Sequence, residues 1–113
     1  MAHVRRDVPT DLDMQRYTSF REFYPHYLSE HANITCRRLH FIGSLLVIAV
    51  IVSALATFDA RWLLLAPLAG YGSAWVGHYF FEKNRPATFS HPVYSFIGDW
   101  AMFLDVLRRR VRI

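Results

Sequence analysis

The chain has 113 residues, enough for one domain, and a formal net charge of +4. Hydrophobic residues make up 53% of it and charged residues 19%, which excludes an ordinary water-soluble domain because too much apolar surface would face water. Cys36 is the only cysteine, so an intrachain disulfide and a thiol metal cluster are also excluded. The basic residues lie beside apolar segments without a recognition motif, which argues against nucleic-acid binding.

The chain begins with a polar leader, residues 1–16, and residues 17–113 are predicted to form a single membrane-embedded helical domain. The first amphipathic helix is predicted over Thr18 to Glu30, with Ser19 or Thr18 as a start signal. Pro25 lies inside this segment, and we expect a kink or two short helical pieces at that point.

Two uncharged runs of 20 residues follow, Leu39 to Phe58 and Trp62 to Phe81, separated by the polar turn Asp59 to Arg61. A helix of 20 residues is roughly 30 Å long, which matches the hydrocarbon core of a membrane. Asn33 is suited to cap the helix that contains the first run. The predicted fold class is therefore an all-α membrane protein with a two-span transmembrane hairpin.

Small residues recur every four positions in the second run, at Ala66, Gly70 and Ala74. Such a stripe lets two membrane helices approach closely, and it leaves a homodimer open as one arrangement.

The distribution of lysine and arginine predicts the orientation of the hairpin. Six of these residues precede the first run, one lies in the turn and six follow the second run, which places both termini in the cytoplasm. The last apolar segment, Pro92 to Leu107, contains two aspartates and ends in a basic tail, so we interpret it as an interfacial helix on the cytoplasmic side. The predicted location is a bacterial inner membrane or the endoplasmic reticulum, with several passes and bound membrane lipids.

Histidines provide the first indication of function. His40 and His78 lie near the cytoplasmic ends of the two runs, at similar depth, where a hairpin would make them neighbours. Ionisable residues at membrane depth are costly and are functional candidates for that reason. A histidine in this position also serves in many proteins only as a hydrogen-bonding group between helices, and this alternative stays open.

His31 precedes His40 by nine residues, which in one unbroken helix means roughly 13 Å of rise and different faces. A break at Ala32–Asn33 would let the chain turn back, so that His31 faces His40. Three neutral imidazoles with open positions suit iron, zinc and similar ions in a catalytic site.

Three further residues are candidates for this site. His26 and His91 are candidate additional metal ligands. Glu82 lies one turn after His78 and is the candidate catalytic carboxylate: a metal ligand, a group that orients His78, or half of an ion pair with Lys83 or Arg85.

The segments Tyr24 to Gly43 and Gly70 to Phe89 carry a family resemblance. The pattern Gly-His-x-x-x-Glu-x-x-x-Pro-Ala over Gly77 to Ala87, together with His31, Asn33 and His40, resembles a family of small membrane proteins. The yeast member of that family is a 2-hydroxy fatty acid dioxygenase of fatty-acid α-oxidation.

The resemblance implies an Fe(II)-dependent enzyme that uses O2 to shorten a 2-hydroxy fatty acid by one carbon. By motif, the essential histidines of the family fall on His31, His40 and His78. The substrate carboxylate would lie at headgroup depth, where arginine suits bidentate binding, and the candidate residues are Arg37, Arg38 and Arg85.

Two functions from other classes remain as alternatives. One is a non-enzymatic membrane scaffold or lipid-binding protein in which the histidines only bridge helices. The other is a b-type haem carrier with His40 and His78 as axial ligands.

Overall fold

The computed structural model describes residues 17–113, and the predicted polar leader lies outside that range. The described residues form helices and connecting turns without a strand, which confirms the all-α prediction. Four α-helices follow one another along the chain: α1 (Phe20–Ser29), α2 (Ile34–Thr57), α3 (Ala66–Val76) and α4 (Pro92–Leu107). Shorter helical segments lie between them: 3-10 turns at Ala60–Leu65 and Ala87–Phe89, and a π-helical segment at Gly77–Glu82.

Helix α1 begins after Ser19, whose side chain accepts a hydrogen bond from the backbone N–H of Glu22. Pro25 removes one backbone donor, yet the helix continues through it as one piece instead of dividing. The packing of Phe23 and Tyr27, both fully buried, holds the two halves of this helix against the rest of the protein.

The chain breaks between α1 and α2 at the predicted place. Asn33 caps α2, and its side chain accepts a hydrogen bond of 3.1 Å from the backbone N–H of Cys36. Helix α2 has 24 residues, and its length and hydropathy suit a membrane span. Among the residues that the structure describes, it is the one helix that meets both criteria.

The second uncharged run is not one continuous α-helix. It begins as the 3-10 turn, becomes α3 near Pro67 and ends in the π-helical segment. Proline lacks a backbone donor and is best accommodated in the first turn of a helix, so Pro67 favours a new helical start at Ala66. With 11 residues, α3 alone is shorter than a membrane span, and the second span stays a prediction.

Helices α2 and α3 lie side by side in opposite directions, and glycines bring them together. A β-carbon added at Gly77 would lie 3.0 Å from Cys36 Sγ, and one added at Gly70 would lie 3.3 Å from Val47 Cγ2. Gly70, the middle residue of the small-residue stripe, therefore packs against α2 within the chain. The close approach at Gly77 also brings the following residue, His78, level with the second turn of α2.

Helix α4 matches its predicted bounds and packs on α1 through two tyrosine–aspartate hydrogen bonds. The hydroxyl of Tyr27 donates to Asp99, and the hydroxyl of Tyr24 donates to Asp105 at 2.6 Å. A β-carbon at Gly98 would lie 2.9 Å from the Tyr27 ring, so only glycine leaves room for this contact. The aspartates that interrupt an apolar segment in the sequence are thus partners of α1.

Candidate metal centre

Three histidines from three separate segments meet in the interior. His31 follows α1, His40 lies in the second turn of α2, and His78 belongs to the π-helical segment. All three are buried, and one ring nitrogen of each lies within 4.8 Å of the other two. The ring planes are nearly perpendicular to one another, with centroids 4.4 to 4.9 Å apart.

Each of these histidines uses its Nδ1 atom in a hydrogen bond to an oxygen. His31 Nδ1 lies 2.6 Å from the backbone oxygen of Tyr27, and His40 Nδ1 lies 2.9 Å from that of Cys36. His78 Nδ1 lies 2.7 Å from Oδ1 of Asn84. A carbonyl oxygen only accepts, so Nδ1 carries the ring proton in each case and Nε2 keeps a lone pair. Metal-binding histidines are typically oriented in this way.

The free nitrogens are very close together. Nε2 of His31 lies 3.1 Å from Nε2 of His40. Two lone pairs at that separation repel each other unless a cation lies between them. A metal ion bound at about 2.0–2.1 Å from two imidazole nitrogens holds them roughly 2.9–3.4 Å apart, which agrees with this distance. The donor set therefore fits a bound metal ion.

The environment of His31 keeps its ring neutral. Burial, followed by the neighbouring His40 and His78 rings, holds the pKa of His31 well below its usual range. The ring of Tyr27 stacks on it, with centroids 3.9 Å apart. A neutral imidazole is the form that binds a metal ion, so the site needs no proton loss from His31 at neutral pH.

Asn84 is a functional candidate that the sequence reasoning missed. Besides accepting from His78, its amide nitrogen donates to the backbone oxygen of Glu30 at 3.0 Å, which fixes the orientation of the amide. Its backbone N–H also donates to the backbone oxygen of His78. Helical spacing gives no signal for this pair because the chain between them is a π-helical segment and a turn. The only signal was the position of an amide just after a histidine-bearing helix.

Glu82 lies outside the group of convergent ligand atoms, which comprises the three histidines among the described residues. One of its carboxylate oxygens accepts a hydrogen bond from the backbone N–H of Asn33. Glu82 therefore joins the π-helical segment that carries His78 to the N-cap that starts α2.

The other predicted ligands lie elsewhere. His26 lies 3.3 Å from a carboxylate oxygen of Glu30 and stacks on Tyr17. His91 is buried against the rings of Tyr17 and Phe23, and its Nδ1 lies 2.9 Å from Ser90 Oγ. The structure does not bring either histidine into the convergent group.

The predicted carboxylate-binding arginines take three different positions. Arg37 donates from Nε to the backbone oxygen of His31 at 2.6 Å and from a terminal nitrogen to that of Arg112 at 3.2 Å. Arg38 is exposed, and the exposed Arg85 lies over the ring of Phe89. Arg37 thus supports the backbone that carries His31.

A cavity of about 300 Å³ lies next to His40. Its polar lining residues include His40, Ser44 and Asp99, and these three also line a second, smaller pocket, so they form one end of the cavity. Burial raises the pKa of Asp99 to about 6, although the hydrogen bond from Tyr27 acts in the opposite direction. The remaining residues that line the cavity are mostly apolar or small: Val47, Ala66, Pro67, Gly70, Tyr71, Ala74, Phe96 and Trp100.

Comparison with known proteins gives one match. The family model described as 2-hydroxy-palmitic acid dioxygenase Mpo1-like matches residues 17–111, which include all three convergent histidines. The chain belongs to the Mpo1-like family. Curated proteins and solved structures give no significant match. The resemblance drawn from the sequence motifs is therefore confirmed, and the family name suggests a dioxygenase that acts on a 2-hydroxy fatty acid.

Proposed function

We propose that this protein is a non-haem Fe(II) dioxygenase that shortens 2-hydroxy fatty acids by one carbon. The observation that carries the proposal is the convergence of His31, His40 and His78, each with its Nδ1 proton committed to an oxygen acceptor. The Mpo1-like family description supplies the substrate class. In the balanced reaction, R–CHOH–COOH and O2 give R–COOH, CO2 and water.

The proposed roles of the residues follow from their contacts. The three imidazoles bind the iron, which when present supplies Lewis acidity and a redox centre for O2. Asn84 and two backbone oxygens hold the imidazoles in the metal-binding tautomer. Glu82 acts indirectly, through its hydrogen bond to Asn33, by keeping the segments that carry His78 and His40 together.

The site has space for a substrate beside it because His40 borders the cavity. A 2-hydroxy acid has a hydroxyl and a carboxylate on adjacent carbons, a pair suited to chelation. We propose that these oxygens bind on the cavity side of the histidines. Arg38 and Arg85 are exposed and are proposed to interact with anionic headgroups or with the incoming carboxylate.

The geometry favours this function over haem binding. An iron porphyrin between His40 and His78 would need the space between their rings. The ring centroids are 4.9 Å apart, and Nε2 of His31 lies 3.1 Å from Nε2 of His40. The third imidazole therefore lies where the macrocycle would have to pass.

The deciding experiment measures metal content and O2 consumption on the purified full-length protein. We expect one iron per chain, one O2 consumed per 2-hydroxy acid, and an acid one carbon shorter as the product. His40→Ala and His78→Ala should lose stoichiometric iron and at least 100-fold in activity, while His3→Ala, outside the described residues, serves as the control. Full iron and full activity in both cluster variants would overturn the proposal and favour the scaffold alternative.

The roles of His26 and His91 are tested in the same assay. Because the structure places them outside the convergent group, we expect His26→Ala and His91→Ala to keep stoichiometric iron. Loss of iron in either variant would identify that histidine as a metal ligand, as predicted from the sequence.

We also propose that the protein is a two-span protein of a bacterial inner membrane or the endoplasmic reticulum with cytoplasmic termini. The support is α2, which suits a span, and the charge distribution around the two apolar runs. Cysteine labelling in sealed right-side-out vesicles of the bacterial inner membrane tests it: a cysteine at Ala60 should be labelled from outside and one at Ile113 only after permeabilisation. The reverse pattern, or labelling of both from outside, would contradict this topology.

A further inference from the structure

The cavity beside His40 differs from the metal site in its chemistry, since most of its wall is apolar. It lies between three helices: α2 contributes His40, Ser44 and Val47, α3 contributes five residues, and α4 contributes Phe96, Asp99 and Trp100. The side chains of His40, Ser44 and Asp99 lie at one end, and the other end is formed by Val47, Ala66 and Pro67. A cavity that is polar at one end and apolar at the other suits an amphiphilic ligand.

The side of the cavity between α3 and α4 is open. Within residues 17–113, α3 packs on α2, and α4 packs on α1 and α2, but the backbones of α3 and α4 hardly approach each other. The wall on that side consists of aromatic rings, Tyr71, Phe96 and Trp100, with a gap between the helices. The outward faces of these helices carry exposed apolar residues such as Leu68 and Val93, so the gap opens toward an apolar medium.

The dimensions fit one hydrocarbon chain. Seven residues of α2 separate His40 from Val47, which corresponds to roughly 10 Å along the helix. A group the size of a water molecule takes about 30 Å³ in a condensed phase, so about 300 Å³ accommodates about ten carbon-sized groups. None of the cavity-lining residues of the described chain is lysine or arginine, so a carboxylate has no cationic side chain to meet there.

From these observations we infer that the cavity is the binding site for the acyl chain of the substrate, with its first ten or so carbons running from His40 toward Ala66. The orientation rests on the proposed function, because it places the carboxylate and 2-hydroxyl at the histidines. The rest of a longer chain leaves through the gap between α3 and α4 into the bilayer. Ala66 and Pro67 then set which chain lengths fit within the protein.

The test uses Trp100 as a reporter of chain binding that needs no turnover. The chain has three tryptophans, so Trp62→Phe and Trp75→Phe together leave Trp100 as the single fluorophore. Dodecanoic acid brominated at mid-chain is titrated into the full-length protein in detergent without O2. Quenching of Trp100 that 2-hydroxydodecanoic acid reverses by competition is the expected result, and absence of saturable quenching would overturn the inference.

Two variants then probe the far end of the cavity. Ala66→Phe should weaken binding of the brominated acid at least tenfold, and Pro67→Phe should act in the same direction if Ala66→Phe fails to fold. Leu68→Phe is the matched control on the same helix because its side chain is 71% exposed, and it should change binding less than twofold. Equal effects in the Ala66 and Leu68 variants would overturn the inference.

Activity measurements separate this inference from the proposed function. If the dioxygenase proposal also holds, Ala66→Phe should lower kcat/KM at least tenfold for 2-hydroxydodecanoic acid and less than twofold for 2-hydroxyhexanoic acid. Saturable quenching without any O2 consumption would support the chain site and contradict the dioxygenase. O2 consumption that Ala66→Phe lowers equally for both chain lengths would support the dioxygenase and contradict the chain site.

Discussion

The two ends of α2 lie in very different surroundings. At its beginning, Cys36 and His40 are buried, and hydrogen bonds link this part of the helix to three other segments. Toward its end, Leu55 is 71% and Phe58 is 97% exposed, and the polar side chains of the following turn, Asp59 and Arg61, bond mainly to each other. Specific polar contacts thus fix the position of the first end of α2. The second end instead presents apolar surface that a surrounding medium must cover.

This contrast has a physical basis. Apolar side chains that face lipid gain nothing by meeting each other, so in a membrane they do not determine a unique arrangement. Buried polar groups do, because each one left unpaired costs about 1–3 kcal/mol. We therefore expect substitutions at the histidine end to have large effects on metal affinity and stability, and substitutions at the far end to have small ones.

The largest effect at the histidine end is expected from Asn84→Leu, which should lower the metal affinity. The variant removes the acceptor for the Nδ1 proton of His78, so that the ring can adopt the other tautomer. Loss of such an orienting group typically lowers metal affinity 10–100-fold. Chelator competition on the purified protein measures the affinity. Asn84→Asp keeps an acceptor and should lose much less, and equal affinities for wild type and the leucine variant would contradict the assigned role.

Met102→Ala and Leu55→Ala compare the surroundings of the two ends of α2, because Met102 of α4 lines a pocket together with His40, whereas Leu55 lies near the far end of α2. Met102 is 2% exposed and its truncation leaves a cavity, which typically costs 2–5 kcal/mol, whereas Leu55 projects outward. Thermal unfolding in detergent should show a lower Tm by many degrees for the first variant and by about one degree or less for the second. Similar losses would mean that the far end is also packed against a partner.

Glu82→Ala should have an intermediate effect on the stability of the protein. It leaves the backbone N–H of Asn33 without its acceptor, which we expect to cost about 1–3 kcal/mol of stability. Iron content should stay stoichiometric because Glu82 is not among the convergent ligand atoms. Elemental analysis and thermal unfolding on the same sample decide this, and Glu82→Gln, which keeps an acceptor, is the control. Loss of iron in both variants would instead identify Glu82 as a ligand.

The smallest effect is a pH dependence at Asp99. Its pKa is raised from 3.8 to about 6 by burial between α1 and the cavity, near Tyr27 and His40. The folded state therefore favours the protonated acid, and its stability relative to the unfolded state falls as the pH rises from about 4 to about 6. Asp99→Asn removes this loss and keeps an acceptor for the Tyr27 hydroxyl.

The measurement for Asp99 is the difference in Tm between variant and wild type, which should grow by several degrees from pH 4.5 to pH 7.5. Taking the difference cancels the titration of His31, whose lowered pKa makes stability rise with pH instead. Asp105→Asn leaves Asp99 in place and should keep the wild-type pH dependence. A flat difference would show that Asp99 has no raised pKa in the folded protein.

The sequence predicted the parts of this molecule that depend on local signals. The cap at Asn33 and the limits of α2 and α4 follow from side-chain capping, proline and uncharged runs, and all were confirmed. The meeting of His31 with His40 was also predictable, since it required only the turn between α1 and α2. The meeting of His40 with His78 required only that the two apolar runs lie antiparallel.

The features that the sequence did not predict depend on contacts between distant segments. The π-helical segment, the His78–Asn84 hydrogen bond and the two tyrosine–aspartate pairs have no periodic signal. Asp99 and Asp105 were interpreted as interruptions of an apolar segment because their partners lie more than 70 positions earlier in the chain. Only the packed arrangement identifies these residues as structural partners.

The origin of the three histidines in three segments has a consequence for assembly. An ion bound by them would close one loop of nine residues, from His31 to His40, and one of 38 residues, from His40 to His78. Closing loops in this way removes chain entropy from the unlinked state, as a disulfide does, and this effect increases only slowly with loop length. The bound ion would thus act as a cross-link for helices that lipid alone does not hold together, so that the supply of the metal ion would determine how long the folded protein persists.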